Sequence, residues 1–483
     1  MYTEGKPIEK IADLKTRFYS NVKDFTVFDV NEELNILKVI LDGLKVNYIK
    51  RWKIKVWINR PVFFIQVRLM IKKIIFLMRM GKKARHANNF LKNAGPRPVW
   101  LFDSARYAFA FNKEGKPISK IYNALIDHFG KSNLVFFMHM SSNKTYNYDL
   151  SLDNFLDGYR FSLLRKDEIK LRNELLACYK RICEKNIFPA EDIENILVAI
   201  DSFFFQFISW NRFLEKYKPK AVYLDCLYHK EAMVFGFRKH NVKVYELQHG
   251  LIAKEDVFYC FPEAVLAVRK RALFADKLFL YGQFWKNILQ SGHEYSEDQL
   301  EIIGNYVTSG GVSEETEKEL NKFINGKKVL LITTQTFVHV TFINYVKNIL
   351  SSFADSARNW VVIVKIHPAE TIGLFGELNA FKNVFVTKDF DIEHLFRNAN
   401  AHLSVYSTTL FEALKYNIPN YSLYVEIFSD YIQSLLDNNI SELITENENV
   451  FNLAEESIAN RKTSDGHSSF FFEESQLSKL PIK

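Results

Sequence analysis

KVLLITT at residues 328–334, WVVIVKI at 360–366 and AHLSV at 401–405 are short runs of β-branched and aliphatic residues, each followed by polar residues and then by a helical pattern. Apolar runs without alternation suit strands buried on both faces, as in a parallel sheet covered by helices. The same rhythm continues around them. Phe342 to Phe353 reads as a helix, Val384 to Thr387 as a strand, Ile392 to Arg397 and Thr408 to Tyr416 as helices, and Asn420 to Tyr424 as a strand. Strands separated by helices in this way predict a doubly wound α/β domain.

Working back towards the N-terminus, a second set of such units emerges. Pro98 to Phe102 reads as a strand, Ile118 to Phe129 as a helix and Asn133 to Met138 as a strand. Leu150 to Leu214 is mostly helical, with breaks marked by Asp153, Pro189 and Ala190. Strands return at Ala221 to Leu224 and Val242 to Leu247, flanking a helix that runs through Phe237, and two short strands follow at Lys277 to Tyr281 and Leu300 to Gly304. Gly304 to Gly326 reads as the connection into the second α/β unit. A chain of 483 residues is too long for one ordinary core. The expected architecture is therefore α/β with two Rossmann-like domains facing a cleft, at residues 96–274 and 275–455. A basic helical extension (1–95) precedes them, and a polar tail (456–483) that should fray follows.

With 48% hydrophobic and 25% charged residues, 11 Pro and 18 Gly, the chain is globular and free of low-complexity bias. Cys178, Cys183, Cys226 and Cys260 form no CxxC pair, and Cys226-x-x-His229 has no second pair nearby, so neither a zinc site nor a disulfide framework is indicated. A reducing, cytoplasmic setting is expected. Met1 to Asp13 has no apolar core of a secretory signal. Pro61 to Met80, the most apolar N-terminal stretch, is interrupted by Arg68, Lys72, Lys73 and Arg79 and falls short of a spanning helix.

Charge is strongly polarised. Residues 43–102 hold 15 Lys and Arg and no Asp or Glu, leaving the rest of the chain at −7 against a total of +8. Trp52, Trp57, Phe63, Phe64, Leu69, Ile71, Ile74, Ile75, Phe76 and Leu77 are interspersed with these cations. This mixture suits a helix lying on an anionic bilayer, where each nearby cation contributes about 1 kcal/mol. It also suits a helix that packs its apolar face on the catalytic domains with its charges solvated. No nucleic-acid-binding motif accompanies the charge. The expectation is a protein peripheral to the inner membrane face.

Ligands of open α/β sheets bind beyond the carboxyl ends of the strands, and three polar clusters sit there. Gln248-His249-Gly250 follows the strand ending at Leu247. Its glycine permits a tight turn or a close backbone approach, and its histidine titrates near working pH, so it can remove a proton from an acceptor hydroxyl or simply hydrogen-bond the fold. Lys365-Ile366-His367-Pro368, followed by Glu370, ends the strand from Trp360. Pro368 biases His367 towards extended backbone, so the imidazole points in a fixed direction, towards a phosphate oxygen or a neighbouring helix end. Ser404-Val405-Tyr406-Ser407-Thr408-Thr409, followed by Glu412, bridges a strand and a helix. Its hydroxyls and amides can bind an anion, helped by the helix dipole, while Ser407 or Thr408 can equally cap the helix. Asp389-Phe390-Asp391 is the one DxD-like string, and helix capping is its expected role.

KIHPAE (365–370) and SVYSTTLFEAL (404–414) resemble the His-Pro and Ser/Thr motifs of bacterial sialyl- and polysialyltransferases and of capsule-synthesis glycosyltransferases. YELQHG (245–250) resembles the Gln-His-Gly element of capsule polysaccharide proteins, including Kdo transferases, and VWLFDSARYAFAFNKEG (99–115) is faintly similar to CDP-glycerol glycerophosphotransferases. The resemblance covers roughly residues 98–455 and implies a GT-B fold and transfer of a sugar from a nucleotide donor, with a CMP-linked sugar among the options. The acceptor it implies is a surface polysaccharide, capsule or lipopolysaccharide, or a lipid-linked glycan. It places His367 on the donor phosphate or nucleotide, Ser407, Thr408 and Thr409 on phosphate, Glu412 on ribose, and Lys365 and Ser404 nearby. Gln248, His249 and Gly250 fall on the acceptor side. The acidic triplet that carries the catalytic carboxylate of the sialyltransferases is missing, which leaves the base open between His249 and Asp225. Neither a metal nor another cofactor is implied. A sugar-nucleotide 2-epimerase, a CDP-alcohol transferase and a non-catalytic glycan-binding protein are the rival readings.

Overall fold

The computed structural model describes residues 18–20, 22–47, 56–93, 99–104, 109–111, 117–139, 150–151, 156–254, 256, 258–291, 295–306, 314–336, 338–367, 370–388, 390–460 and 468–481. Its apolar runs assemble into two separate parallel sheets. The first contains β1 (Val99–Ser104), β2 (Leu134–His139), β3 (Leu150–Ser151), β4 (Ala221–Leu224), β5 (Lys243–Leu247), β6 (Lys277–Leu280) and β7 (Leu300–Ile302), in the order β7-β6-β5-β4-β1-β2-β3. The second contains β8 (Lys328–Thr333), β9 (Trp360–Lys365), β10 (Val384–Thr387), β11 (Ala401–Ser404), β12 (Asn420–Leu423) and β13 (Glu442–Ile444), in the order β10-β9-β8-β11-β12-β13. In both sheets the chain moves outward from its first strand to one edge and then returns to continue on the other side. That is the doubly wound order of a Rossmann domain, with its reversal between β1 and β4 in one sheet and between β8 and β11 in the other. Two Rossmann-like α/β domains, the GT-B arrangement, are what the sequence led us to expect.

Alternation explains why the second sheet is covered on both faces. Leu330, Ile332, Val362 and Val364 enter one buried cluster, and Val329, Leu331, Val361 and Ile363 enter the other. Successive side chains of a strand point to opposite faces, so an unbroken apolar run fills both layers.

The domain limits differ from the expected ones in three places. The break expected at residue 275 lies later, because Leu278 and Phe279 pair in parallel with Glu246 and Leu247, and Leu300 and Glu301 pair with Leu278 and Phe279. Strands β6 and β7 thus belong to the first sheet.

The N-terminal region is not a separable extension. Phe18 and Phe28 stack at 6.0 Å, and both pack on Phe188. Helix α1 (Leu37–Asn47) lies on the long core helix α2 (Ala190–Leu214), and Asn35 receives its place from Arg271, whose carbonyl accepts from the Asn35 amide at 3.0 Å. Residues 192–214 of α2 are long and apolar enough to cross a membrane by composition, but most of that stretch is buried as it packs between α1 and the helix after β4, with Phe207 and Phe235 4.7 Å apart.

The tail expected to fray is docked over residues 468–481. Trp285 Nε1 donates to the Phe471 carbonyl at 2.9 Å, the Glu473 amide to Tyr281 at 2.9 Å, and the Tyr223 hydroxyl to Pro481 at 2.6 Å. Gly304 has φ +74°, and a Cβ there would lie 2.0 Å from the Glu474 carbonyl oxygen, so only glycine admits this approach. The tail leaves the second domain and closes on the first. Phe471 then meets Phe284 at 4.8 Å and Phe411 at 5.2 Å, which ties the domains into one apolar contact.

Candidate active site

At the carboxyl edge of the second sheet, where the strand order reverses between β8 and β11, neutral polar groups join the two strand ends. The Gln335 side chain bridges the two strand ends. Its Oε1 accepts from the Tyr406 amide at 2.8 Å, and its Nε2 donates to the Tyr406 carbonyl. Thr333 Oγ1 is 2.8 Å from Thr409 Oγ1 and 2.9 Å from His402 Nε2, and Ser404 Oγ donates to the Thr333 carbonyl at 2.9 Å. Ser404 and Thr409 are thereby committed to holding the strand ends together. Tyr406 stacks against Tyr431 at 4.9 Å and packs on Phe428 at 4.4 Å.

His367 is held through its backbone. Its amide donates to Thr334 Oγ1 at 2.9 Å, and the Thr334 hydroxyl donates to Glu370 Oε2 at 2.5 Å. Burial pushes the Glu370 carboxyl above its ordinary range, against the opposing pull of the Thr334 and His367 bonds. Lys388 Nζ donates to the Glu370 carbonyl at 2.7 Å, and Lys365 Nζ donates to the Lys388 carbonyl, so two cations stand beside the histidine turn. The His367 ring is half-buried. Pro368 lies outside the described residues.

Ser407 is the N-cap of α3 (Thr408–Leu414), its hydroxyl accepting from the Thr409 amide at 3.3 Å. This helix is only seven residues long. The dipole assistance expected for an anion is accordingly small, and the hydroxyls must do most of the binding. Asp391 caps the helix Ile392–Asn398 through the Glu393 amide, and Asp389 lies outside the described residues. No cluster of three His, Cys, Asp or Glu side chains suited to a metal occurs among the described residues.

At the carboxyl edge of the first sheet, Gln248 is buried and organises the turn. Its Oε1 accepts from the Tyr281 amide at 2.9 Å, its Nε2 donates to the Gly250 carbonyl at 3.0 Å, and its own carbonyl accepts from the Tyr306 hydroxyl at 2.8 Å. His249 is thus presented half-buried, edge-on to Tyr228 at 5.6 Å. Gly250 has no atom within 4 Å of an added Cβ and no left-handed backbone. Neither the tight turn nor the close approach expected of it is required by the fold.

Asp225 is in a different situation from His249. It is fully buried, and Lys230 Nζ lies 2.6 Å from its carboxylate and donates to the Cys226 carbonyl at 2.6 Å. Burial alone would lower the lysine, but Asp225 and Cys226 outweigh it and the Lys230 ammonium is held above its usual value. Next to it, Glu246 accepts from the Leu227 amide at 3.0 Å and the Tyr259 hydroxyl at 2.7 Å, and burial raises its carboxyl. A carboxylate enclosed in this way cannot reach an acceptor hydroxyl, which speaks against Asp225 as the base.

The two edges meet. Tyr228 of the first domain is raised well above the normal phenol range by burial, with contributions from Asp256, Cys226 and Tyr431, the last from the second domain. Tyr281 is raised by burial and then by Glu412, one turn into α3. Tyr406 packs against the apolar clusters of both domains. His249 and Tyr228 on one side therefore stand opposite Tyr406, Tyr431 and Glu412 on the other. A cavity of about 320 Å³ lined by Phe396, Asn400, Tyr416 and Ile418 sits at the amino ends of β11 and β12, the edge away from all of these groups. Sequence reading missed Thr334, Gln335, Tyr228 and Tyr431. TTQT after β8 carries the same signal as STT after β11, hydroxyls following a buried strand, and could have been found by it.

No protein-family model matches the chain, and no curated protein matches it. Solved structures do. The chain is similar to Staphylococcus aureus MnaA, solved with UDP, at 14% identity and a TM-score of 0.44 over 75% of this chain and 88% of that one. It is similar to the UDP-GlcNAc 2-epimerase of Methanocaldococcus jannaschii at 15% identity and 0.44, over 78% and 97%. It is also similar to the wall teichoic acid polymerase TagF at 11% identity and 0.39, over 82% and 89%. At these scores the likeness assigns neither a ligand nor a reaction to this chain.

Proposed function

We propose that the chain is a GT-B-type glycosyltransferase that binds a nucleotide-activated sugar at the strand reversal between β8 and β11 and moves the sugar to a glycan acceptor held against Gln248–Gly250. The observation that carries this reading is the presence of two Rossmann-ordered sheets, each with a half-buried histidine at its carboxyl edge, His249 and His367. In open α/β sheets that edge, at the reversal of strand order, is where ligands bind. The second edge offers hydroxyls and two lysines, with Glu412 one turn into α3, which suits an anionic donor with a ribose at its side.

In this reading His367, with the hydroxyls of Ser407 and Thr408, takes up the charge that develops on the leaving phosphate. Lys365 adds positive potential there, while Thr333, Ser404 and Thr409 fix the strand ends that carry these groups. Glu412 accepts from the ribose. His249 removes the proton of the attacking hydroxyl, oriented by the turn that Gln248 holds. No step calls on a metal. A thermal-shift series with CMP, UDP, GDP and CDP compounds tests the donor site, because a ligand that prefers the folded state raises its apparent stability. One nucleotide should shift the melting point, and the shift should be lost in His367→Ala. NMR of the responding sugar nucleotide without acceptor then separates the reactions: inversion at the sugar C2 would replace transfer by 2-epimerisation. A melting point unmoved by all four nucleotide classes would leave a binding protein.

A further inference from the structure

Helix α4 (Val62–Asn93) precedes the first sheet in the chain. In its first half it is inverted with respect to an ordinary amphipathic helix. Ile65, Leu69 and Phe76 bury against the first domain, while Phe63, Phe64, Met70, Ile71, Ile74, Ile75, Leu77 and Met78 are exposed, by 43% to 81%. At about 100° per residue these eight occupy a continuous arc of about 160° that contains no charged position between Val62 and Met78.

The cations of this half flank the arc and reach towards the first domain. The Arg68 guanidinium lies 4.0 Å from the centre of the Trp57 ring, Lys72 Nζ lies 5.5 Å from that of Phe161, and Lys73 Nζ donates to Ser162 Oγ at 3.1 Å. The start of the helix is pinned by Asp201, whose carboxylate accepts from the Trp57 and Ile58 amides at 2.7 and 2.6 Å. Contiguous apolar patches of this kind mark interaction surfaces.

Charge decides between partners. Along the flank of α4 a cavity of about 190 Å³ is lined by Arg68, Lys72 and Arg160 against one carboxylate, Asp201, together with Leu69, Phe161 and Phe205. Residues 43–102 as a whole contain 15 cations and no acid. A second copy of the same helix would bring like charge against like, whereas a surface of anionic lipid presents acyl chains for the apolar arc and phosphates for the cations at its border.

We propose that α4 docks this chain on an anionic lipid surface, with Phe63, Met70, Ile71, Ile74 and Met78 entering the acyl boundary and the Arg68–Lys72–Arg160 cavity facing the headgroup phosphates. The helix lies along the surface and does not cross it. This placement is independent of the reaction proposed above.

The test is co-sedimentation of the full chain with vesicles of phosphatidylcholine alone and of phosphatidylcholine mixed with phosphatidylglycerol in equal parts. Binding to the anionic vesicles should exceed binding to the neutral ones by about tenfold or more and fall as salt is raised. Ile71→Glu/Ile74→Glu/Met78→Glu should lower it by about tenfold or more without changing the thermal unfolding, since all three side chains are already exposed. Should that variant fail to fold, Ile74→Ser/Met78→Ser should lower binding in the same sense. Equal sedimentation of the wild type with both vesicle types, or unchanged binding in a folded variant, overturns the proposal. So does a wild type that is dimeric without vesicles and made monomeric by the same substitutions, which would make a second copy the partner of this face.

Discussion

At the carboxyl edge of the first sheet the ionisable groups are buried and matched to one another: Asp225 to Lys230, and Glu246 to Tyr259 and the Leu227 amide. At the same edge of the second sheet the buried groups are mostly uncharged (Thr333, Thr334, Ser404 and His402, with the half-buried Gln335 beside them), the one buried carboxyl, Glu370, accepts from the Thr334 hydroxyl, and the lysines bond to backbone carbonyls. The strand order is the same but the chemistry differs. A charge buried with its partner leaves no net field to draw in a ligand, whereas neutral donors flanked by the lysines at 365 and 388 suit an anion. The first edge thus supports a histidine, and the second is suited to receive a phosphate.

The largest expected effect comes from breaking the matched edge. Asp225→Ala leaves Lys230 buried without its carboxylate and should cost about 3–5 kcal/mol of stability, measured by urea unfolding. A variant that keeps its stability and loses transfer instead would make Asp225 part of the chemistry and undo the contrast between the edges. The histidines should behave in the reverse way. His249→Ala should slow transfer by about 10²–10⁴ and His367→Ala by about 10²–10³, each with a melting point near that of the wild type. Full activity in either removes that residue from the mechanism.

His402 sharpens the comparison through pH. It is fully buried between Asn420 Oδ1 at 2.8 Å and Thr333 Oγ1 at 2.9 Å, and burial, only partly opposed by the Asn420 bond, pulls its imidazole down to about 4. With the unfolded chain near 6.5, the unfolded state binds a proton that the folded state refuses. Stability is therefore fully present above about pH 6.5 and falls as pH drops towards 4, by roughly 3 kcal/mol in all. Unfolding midpoints taken across that window should show this slope, and His402→Gln should flatten it. A slope unchanged in the variant would assign the acid sensitivity to other groups, such as the carboxylates of the first edge.

The strands of the second sheet were legible because strands buried on both faces must be apolar throughout, and β8, β9 and β11 differ from the expected segments by no more than a residue at each end. Strand β3 is two residues long and sits at an edge, so it leaves no pattern to read. The domain limit was misplaced because β6 and β7 look like any other short strands. Which sheet they join is decided by pairing with β5, a non-local fact. Asp225 resembled a catalytic carboxylate from its place after β4, and Lys230, five residues beyond, was the available sign of a buried pair. Thr334 and Gln335 carry no charge and so drew no attention, although they hold the backbone of the two most conspicuous motifs.

The smallest effect concerns Ser407, and it tests whether the second edge is open to an anion at all. As an N-cap its loss in Ser407→Ala should cost about 1 kcal/mol of stability, an outcome that capping alone explains. Ser407→Asp separates the two roles, because aspartate caps as well as serine but places a negative charge where the donor phosphate is expected. That variant should unfold like the wild type and yet bind the responding nucleotide at least about tenfold more weakly, with the loss reduced as salt is raised. If the aspartate variant binds nucleotide as tightly as the wild type, the phosphate does not approach this helix start. The second edge would then have to receive it on the His367 side, between Thr334 and the lysines at 365 and 388.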